Sequence, residues 1–299
     1  MLYFLLAVAF TVSLYLIMRA FPNYNVNPFQ AVVFNYYACV ATGLVLMPNP
    51  SDFQSVEWTS TPTLLTLALG TMFVIVFLLI GQTATKTGVT AASLASNMSL
   101  IIPVLFGLFI FKNNNKTFDI WNYAGIVLAL AALALSVLKK TTDRSQQSVS
   151  NQSIWLFPIL LFLFSGANNT LINFLSSKYY KPEQTPLFMI VACVGAIVIG
   201  TSMLIFRVVS GTEKIAFKNI IAGFILGVPN FLSLYFLLKT LSYYGNSAAF
   251  VFPIYNVLTI LVSTLTAFLL FREKLEPLNK IGLALAVISI LLISHQELL

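Results

Sequence analysis

The second half of this chain repeats the first, and each copy holds five apolar segments of helix length. Displaced by 157 residues, the sequence meets itself without a gap from Gly70 to Ala129. Gly70 falls on Gly227, Thr83 on Thr240, Gly88 on Gly245, Ala91-Ala92 on Ala248-Ala249, Asn122 on Asn279, Gly125 on Gly282 and Leu128-Ala129 on Leu285-Ala286. An odd number of spans per copy makes the second copy start on the opposite face of a membrane. The two copies are then inserted upside down relative to each other, a construction used by many secondary transporters. The pattern predicts an all-α integral membrane protein of ten transmembrane helices arranged as two inverted five-helix repeats. Residues 1–138 form the first repeat, 139–153 a polar linker and 154–299 the second repeat.

Composition agrees with a bilayer as solvent. The chain is 59% hydrophobic and 8% charged, with a mean hydropathy of +0.91, too little charge to cover a soluble surface. A bilayer core takes about 20 apolar residues per helix. Ten such runs are present: 1–18, 28–47, 63–85, 89–111, 119–138, 154–175, 186–209, 219–238, 246–271 and 276–295. The first lacks the basic start and small-residue cleavage site of a secretory signal, so it reads as a span. Cys39 and Cys193 lie within apolar runs and read as small packing residues, with no disulfide framework and no metal site.

The net charge of +7 is spread singly over helix ends, without the aromatic-interleaved basic patch of a nucleic-acid binder. On the side holding both termini stand Lys112, Lys116, Lys178, Lys181 and Lys239. The opposite side carries 11 basic residues: Arg19, Lys86, Lys139, Lys140, Arg144, Arg207, Lys214, Lys218, Arg272, Lys274 and Lys280. The positive-inside rule then puts both termini outside and the linker in the cytoplasm.

Polar side chains inside spans cost free energy unless they face other helices or a cavity. Ser165, Asn169, Asn173 and Ser177 recur every four residues along one face of the sixth span, with Asn168 beside them. Ser93, Asn97 and Ser96 do so in the fourth, and Asn256, Thr259, Ser263 and Thr266 in the ninth. Asn35 lies in the second span and Asn230 with Ser233 in the eighth. These residues either join helices, at about 0.6 kcal/mol per contact, or line a solute cavity. Ser93, Asn97, Ser165, Asn169, Asn173, Asn230 and Asn256 are the candidate substrate-binding set. Tyr36, Tyr37, Tyr235, Tyr243, Tyr244 and Tyr255 are candidates for stacking on a ligand or for the interfacial belt.

Pro229 removes one backbone N–H from the eighth span and frees the carbonyl of Ile225; Pro103 and Pro253 interrupt the fourth and ninth spans in the same way. The small faces Gly125-x-x-x-Ala129 and Gly282-x-x-x-Ala286 allow close helix approach, either to make a homodimer or to pack the fifth and tenth spans internally. All nine acids stand in loops or at span ends, which argues against a proton relay or cation site in mid-membrane. No nucleophile–base pair, phosphate-cradling Gly-rich loop or metal-ligand cluster is present, so no enzyme activity and no cofactor are expected.

The paired repeats and two local segments carry a family resemblance. These segments are QTATKTGVTAASLASNMSLIIPVLFGLFIF, from Gln82, and its counterpart KTLSYYGNSAAFVFPIYNVLTILVSTLTAFLLFREKL, from Lys239, which ends in the turn Phe271 to Leu275. Over essentially its whole length the chain resembles the drug/metabolite transporter superfamily, in its EamA-like branch. The resemblance implies a site between the halves, lined by the first, third, fourth, sixth, eighth and ninth spans, and so Asn97, Asn169, Asn230 and Asn256 here. Two features depart from the family: Lys112-Asn-Asn-Asn-Lys116 replaces a Gly-Glu turn, and cytoplasmic termini are usual where the charge count puts them outside.

The expected function is secondary transport, as an exporter or exchanger, of a small polar metabolite such as an amino acid or sugar across the cytoplasmic membrane. The halves would rock about a midplane site, with Pro229, Gly70 and Gly227 easing helix bending. The competing reading is a membrane scaffold or lipid-handling protein with no aqueous path.

Overall fold

The computed structural model describes residues 2–47, 51–54, 56–99, 102, 119–137, 152–180, 184–243, 248–272, 277–293 and 295. Their regular structure is entirely helical. Ten helices of ten residues or more stand among them: α1 (Leu2–Ala20), α2 (Pro28–Leu46), α3 (Thr61–Lys86), α4 (Val89–Met98), α5 (Ile120–Val137), α6 (Gln152–Tyr179), α7 (Thr185–Val209), α8 (Phe217–Tyr243), α9 (Ala248–Phe271) and α10 (Pro277–Ile293). Each begins within a few residues of an apolar run read from the sequence. Outside the described residues lie Pro103 with the rest of the fourth run, the Lys112–Lys116 turn, most of the linker, Tyr244, and the side chains of Asn173, Ser177 and Ala129.

Among the described residues, six helices are long and apolar enough to cross a membrane: α1, α2, α3, α7, α8 and α9. A residue rises 1.5 Å along a helix, so the 26 residues of α3 reach about 39 Å, beyond a hydrocarbon core of about 30 Å. Polarity is inverted relative to a water-soluble bundle. Gln30, Asn35, Thr66, Thr83, Ser93 and Thr259 are buried, while Phe206, Phe217, Phe224, Phe268 and Leu270 are exposed. Helices satisfy their own backbone groups, and the side chains facing outward are those that hydrocarbon solvates without cost. The chain is accordingly a membrane protein.

Helix pairing follows the sequence repeat. The displacement of 157 residues relates α1 to α6, α2 to α7, α3 to α8, α4 to α9 and α5 to α10. The strongest pairings either exchange under it, as do α2·α8 with α7·α3, α1·α8 with α6·α3 and α1·α9 with α6·α4, or map onto themselves, as do α5·α10, α2·α7 and α4·α9. The correspondence reaches single atoms. A Cβ on Gly70 would land 2.5 Å from the carbonyl oxygen of Ala192 and against the backbone at Gly195–Ala196. A Cβ on Gly227 would strike the carbonyl oxygen of Asn35 and lie 2.6 Å from the Cβ of Ala38. Asn35 and Ala38 are the repeat equivalents of Ala192 and Gly195. Likewise Gly43 seats on Ile190 and Gly200 on Val33, again an equivalent pair.

Gly70 and Gly227 are the places where α3 meets α7 and α8 meets α2 backbone to backbone, with no room for a side chain. The sequence halves interlock. The tightest contacts join helices of different halves, giving two triads, α1–α2–α8 and α6–α7–α3. Helix α8 also runs without a break past Pro229, as α9 does past Pro253 and α6 past Pro158.

The fifth and tenth helices pack against each other. Gly125, Gly282 and Ala286 are buried there. At one end of this pair Asp119 caps α5 through the N–H groups of Trp121 and Asn122, and His295 Nε2 lies 2.9 Å from Asp119 Oδ2.

Candidate functional site

The residues picked from the sequence separate into two polar clusters. The first forms where α4 of one half meets α6 and α9 of the other. Gly88, with φ +105°, allows the sharp reversal that turns the chain from α3 into α4, a conformation that side chains disfavour. Ser93 and Asn97 then lie one turn apart: Asn97 Nδ2 donates to the Ser93 carbonyl at 2.7 Å and to Ser93 Oγ at 3.3 Å. Ser263 of α9 donates to Ser93 Oγ at 2.7 Å. Just past α4, Ser99 Oγ accepts from Asn169 Nδ2 of α6 at 3.4 Å. Asn256 is buried in α9.

Ser165 and Asn168 are buried on α6, and among the described residues neither Ser165 Oγ nor Asn168 Oδ1 has a hydrogen-bond partner. Leaving such a group dry costs about 1–3 kcal/mol. The side chain of Asn173 lies outside the described residues.

Helix α1 joins this cluster from the other triad. Thr11 Oγ1 and the Tyr255 hydroxyl of α9 lie 2.5 Å apart, and the Tyr15 hydroxyl faces Ser96 of α4. Thr11 and Tyr15 were not picked from the sequence, although they stand four residues apart on one helical face. A further signal was available: the repeat places Thr11 on Asn168, so both copies are polar at that position.

The second cluster lies on the α2·α8 contact. Asn230 Nδ2 donates to Asn35 Oδ1 at 3.2 Å and approaches Cys39 Sγ at 3.4 Å, while the Cys39 thiol donates to the Gly227 carbonyl at 3.3 Å. Thus Asn230 bonds to α2, and the structure does not bring it to Asn97 and Asn169. Tyr36 packs beside Phe73 and Phe77.

An apolar groove of about 240 Å³ lies elsewhere, between α2 and α7. It is lined by Val33, Phe34, Leu204, Ile205 and Val208, with the hydroxyls of Tyr37 and Thr201 paired at 2.8 Å on its rim.

Comparison with known proteins bears on the architecture. No family model matches the chain. An uncharacterized protein of Haemophilus influenzae is 24% identical over 294 residues, covering 95% of this chain and 94% of its own. A solved crystal structure, described only as that of a protein, superposes with a TM-score of 0.59 at 15% identity, covering 97% of this chain and 94% of the other. The chain shares that protein's fold over nearly its entire length.

Proposed function

We propose that the protein is a ten-span secondary transporter of the EamA-like drug/metabolite type, built from two inverted repeats, that moves a small polar metabolite across the cytoplasmic membrane by alternating access. The observation that carries this reading is the buried, uncharged polar cluster where α4 of one half meets α6 and α9 of the other. Serine and asparagine can each donate and accept, so the cluster can replace the hydration of a neutral or zwitterionic solute without the desolvation cost of a fixed charge.

Contacts between helix ends support the ten-span alternation. Arg19 bonds to the Thr85 carbonyl, Lys86 lies over the Phe157 ring, Gln30 meets Glu213, Thr66 meets Tyr180 and Asp119 meets His295. Every pair joins ends that a ten-span path puts on the same side.

The packing also supports alternation. Helices α1 and α2 both pack on α3, whereas the equivalent α6·α8 and α7·α8 contacts are slight at most among the described residues. Equivalent parts in unequal contact are what one of two exchangeable states of an inverted repeat looks like. The moving bodies would be the two triads, which meet along α2·α7. There Gly43 and Gly200 abut side chains, which can slide, whereas backbone contacts cannot.

The test is transport by purified protein in liposomes loaded with mixed amino acids and sugars. Protein-dependent release of a solute is expected, and Asn97→Leu and Asn169→Leu should each cut it at least roughly tenfold, the loss of one charged or well-placed hydrogen bond. Unchanged release in both variants would remove the site assignment. The lipid-handling alternative rests on the apolar groove between α2 and α7. It predicts that cysteines at positions 97 and 169 stay unreactive toward a hydrophilic thiol reagent.

A further inference from the structure

We propose that Gln30, Arg207 and Glu213 form a one-sided clasp across the seam between the two triads, holding that end of the bundle shut in the resting protein. The proposal rests on the alternating-access reading above and adds to it which end is held and by what.

The clasp is built from both triads. Asn27 caps α2, its Oδ1 accepting from the N–H groups of Phe29 at 2.9 Å and Gln30 at 3.3 Å. This fixes Gln30 at the first turn of α2, where it is almost fully buried. From there Gln30 Nε2 donates to Glu213 Oε2 at 3.1 Å and to the Lys214 carbonyl at 3.0 Å, and Gln30 Oε1 accepts from Asn219 Nδ2 at 2.7 Å. The other oxygen of Glu213 pairs with Arg207 Nη1 of α7 at 2.8 Å. The Arg207 guanidinium lies 4.2 Å from the centre of the Phe29 ring, back on α2. Gln30, Phe29 and Asn219 belong to the α1–α2–α8 triad, and Arg207 to the α6–α7–α3 triad. Glu213, on the connecting turn, bonds to both.

Among the described residues the opposite end of the seam shows no such device. The repeat equivalents of Phe29, Gln30, Arg207 and Glu213 are Pro186, Leu187, Pro50 and Val56, which cannot form an ion pair. The hydroxyl pair at that end, Thr66 with Tyr180 at 3.0 Å, and the Tyr180–Phe188 rings lie within the α6–α7–α3 triad and do not cross the seam. A hydrogen bond to a charged group contributes two- to threefold more than a neutral one. Two otherwise equivalent closures are therefore unequal, and the resting population lies toward the state closed at the Glu213 end.

The test uses the full-length chain with Cys39→Ala and Cys193→Ala, a reporter Ser165→Cys in the polar cluster and, in separate protein, Ser210→Cys to mark which vesicle face carries the clasp. A membrane-impermeant maleimide is applied to vesicles of each orientation. Glu213→Ala should raise labelling of the reporter from the clasp end roughly three- to tenfold and lower it from the other end; the isosteric Glu213→Gln should shift it in the same direction by less. An unchanged ratio in both variants overturns the clasp. So does a rise from both ends together, which marks general loosening. A reporter that stays unlabelled from either end in every protein, clasp intact or not, overturns alternating access itself, and the clasp with it.

Discussion

The triad around α3 and the triad around α8 have the same seats but different neighbourhoods. Gly70 sits on Ala192 and Gly195 as Gly227 sits on Asn35 and Ala38. Yet α3 is also packed by α1 and α2, whereas among the described residues α8 is scarcely touched by α6 and α7. Backbone contacts that admit no side chain are common to both triads, so they define parts that do not change. Side-chain contacts differ between the triads, so they define where the parts can move.

The largest test of this equivalence is to fill each seat in turn. Gly70→Leu and Gly227→Leu both drive a side chain into backbone, which cannot yield as a side-chain tip can. Each is expected to cost about 3 kcal/mol or more, seen as loss of folded protein in thermal melts of the detergent-solubilised chain. Equal losses support equivalent seats; a harmless Gly227→Leu beside a ruinous Gly70→Leu would break the comparison.

A smaller effect is expected where the two seats differ in chemistry. Asn230→Leu strips Asn35 of its amide partner within a buried contact and should cost about 1–3 kcal/mol. The equivalent change, Phe73→Leu, breaks no hydrogen bond and should cost less than about 1.5 kcal/mol. Equal melting shifts would show that the Asn35–Asn230 bond contributes nothing.

The smallest effect is confined to acid. Burial raises the proton affinity of the Glu213 carboxyl, but hydrogen bonds from Gln30, Arg207 and Asn27 and the Arg207 charge outweigh it and hold the group below its ordinary value of 4.5. The groups facing it are Arg207 from α7 and Gln30 and Asn27 from the start of α2, with Lys214 next in the chain. A depressed folded value means that the carboxylate's contribution is complete above about pH 4.5 and fades as the pH falls through the folded value. The labelling ratio of the Ser165→Cys reporter should therefore be flat at neutral pH, turn toward the clasp end only in acid, and stay flat throughout in Glu213→Gln. A transition well above pH 4.5 would point to a different titrating group.

The helices were legible because a bilayer asks for runs of one length and one polarity, and the repeat was legible because turns and small residues recur at one offset. Partner choice was not. Period and composition mark Gly70 as small but do not say that it seats on α7, and nothing local ties Gln30 to Glu213 across 183 residues. Of the candidate site, Ser93, Asn97 and Asn169 stood out because their helical spacing makes a stripe. Thr11 and Tyr15 share that four-residue spacing, but their place beside α4 and α9 exists only once α1 is docked. Asn230 looked like a lining residue by type, yet it is bonded across α2·α8.

The exchange of partners between halves also dictates an order of birth. As the first half is made, the groove on α3 that Gly70 opens has nothing to receive, for its occupant at Ala192–Ala196 is synthesised about 120 residues later. Helices α2 and α3 must therefore enter the bilayer and wait there, their seats for α8 and α7 facing lipid, until those helices arrive. Neither half can mature by itself, and a chain severed in the 139–153 linker should assemble only when both pieces occupy the same membrane.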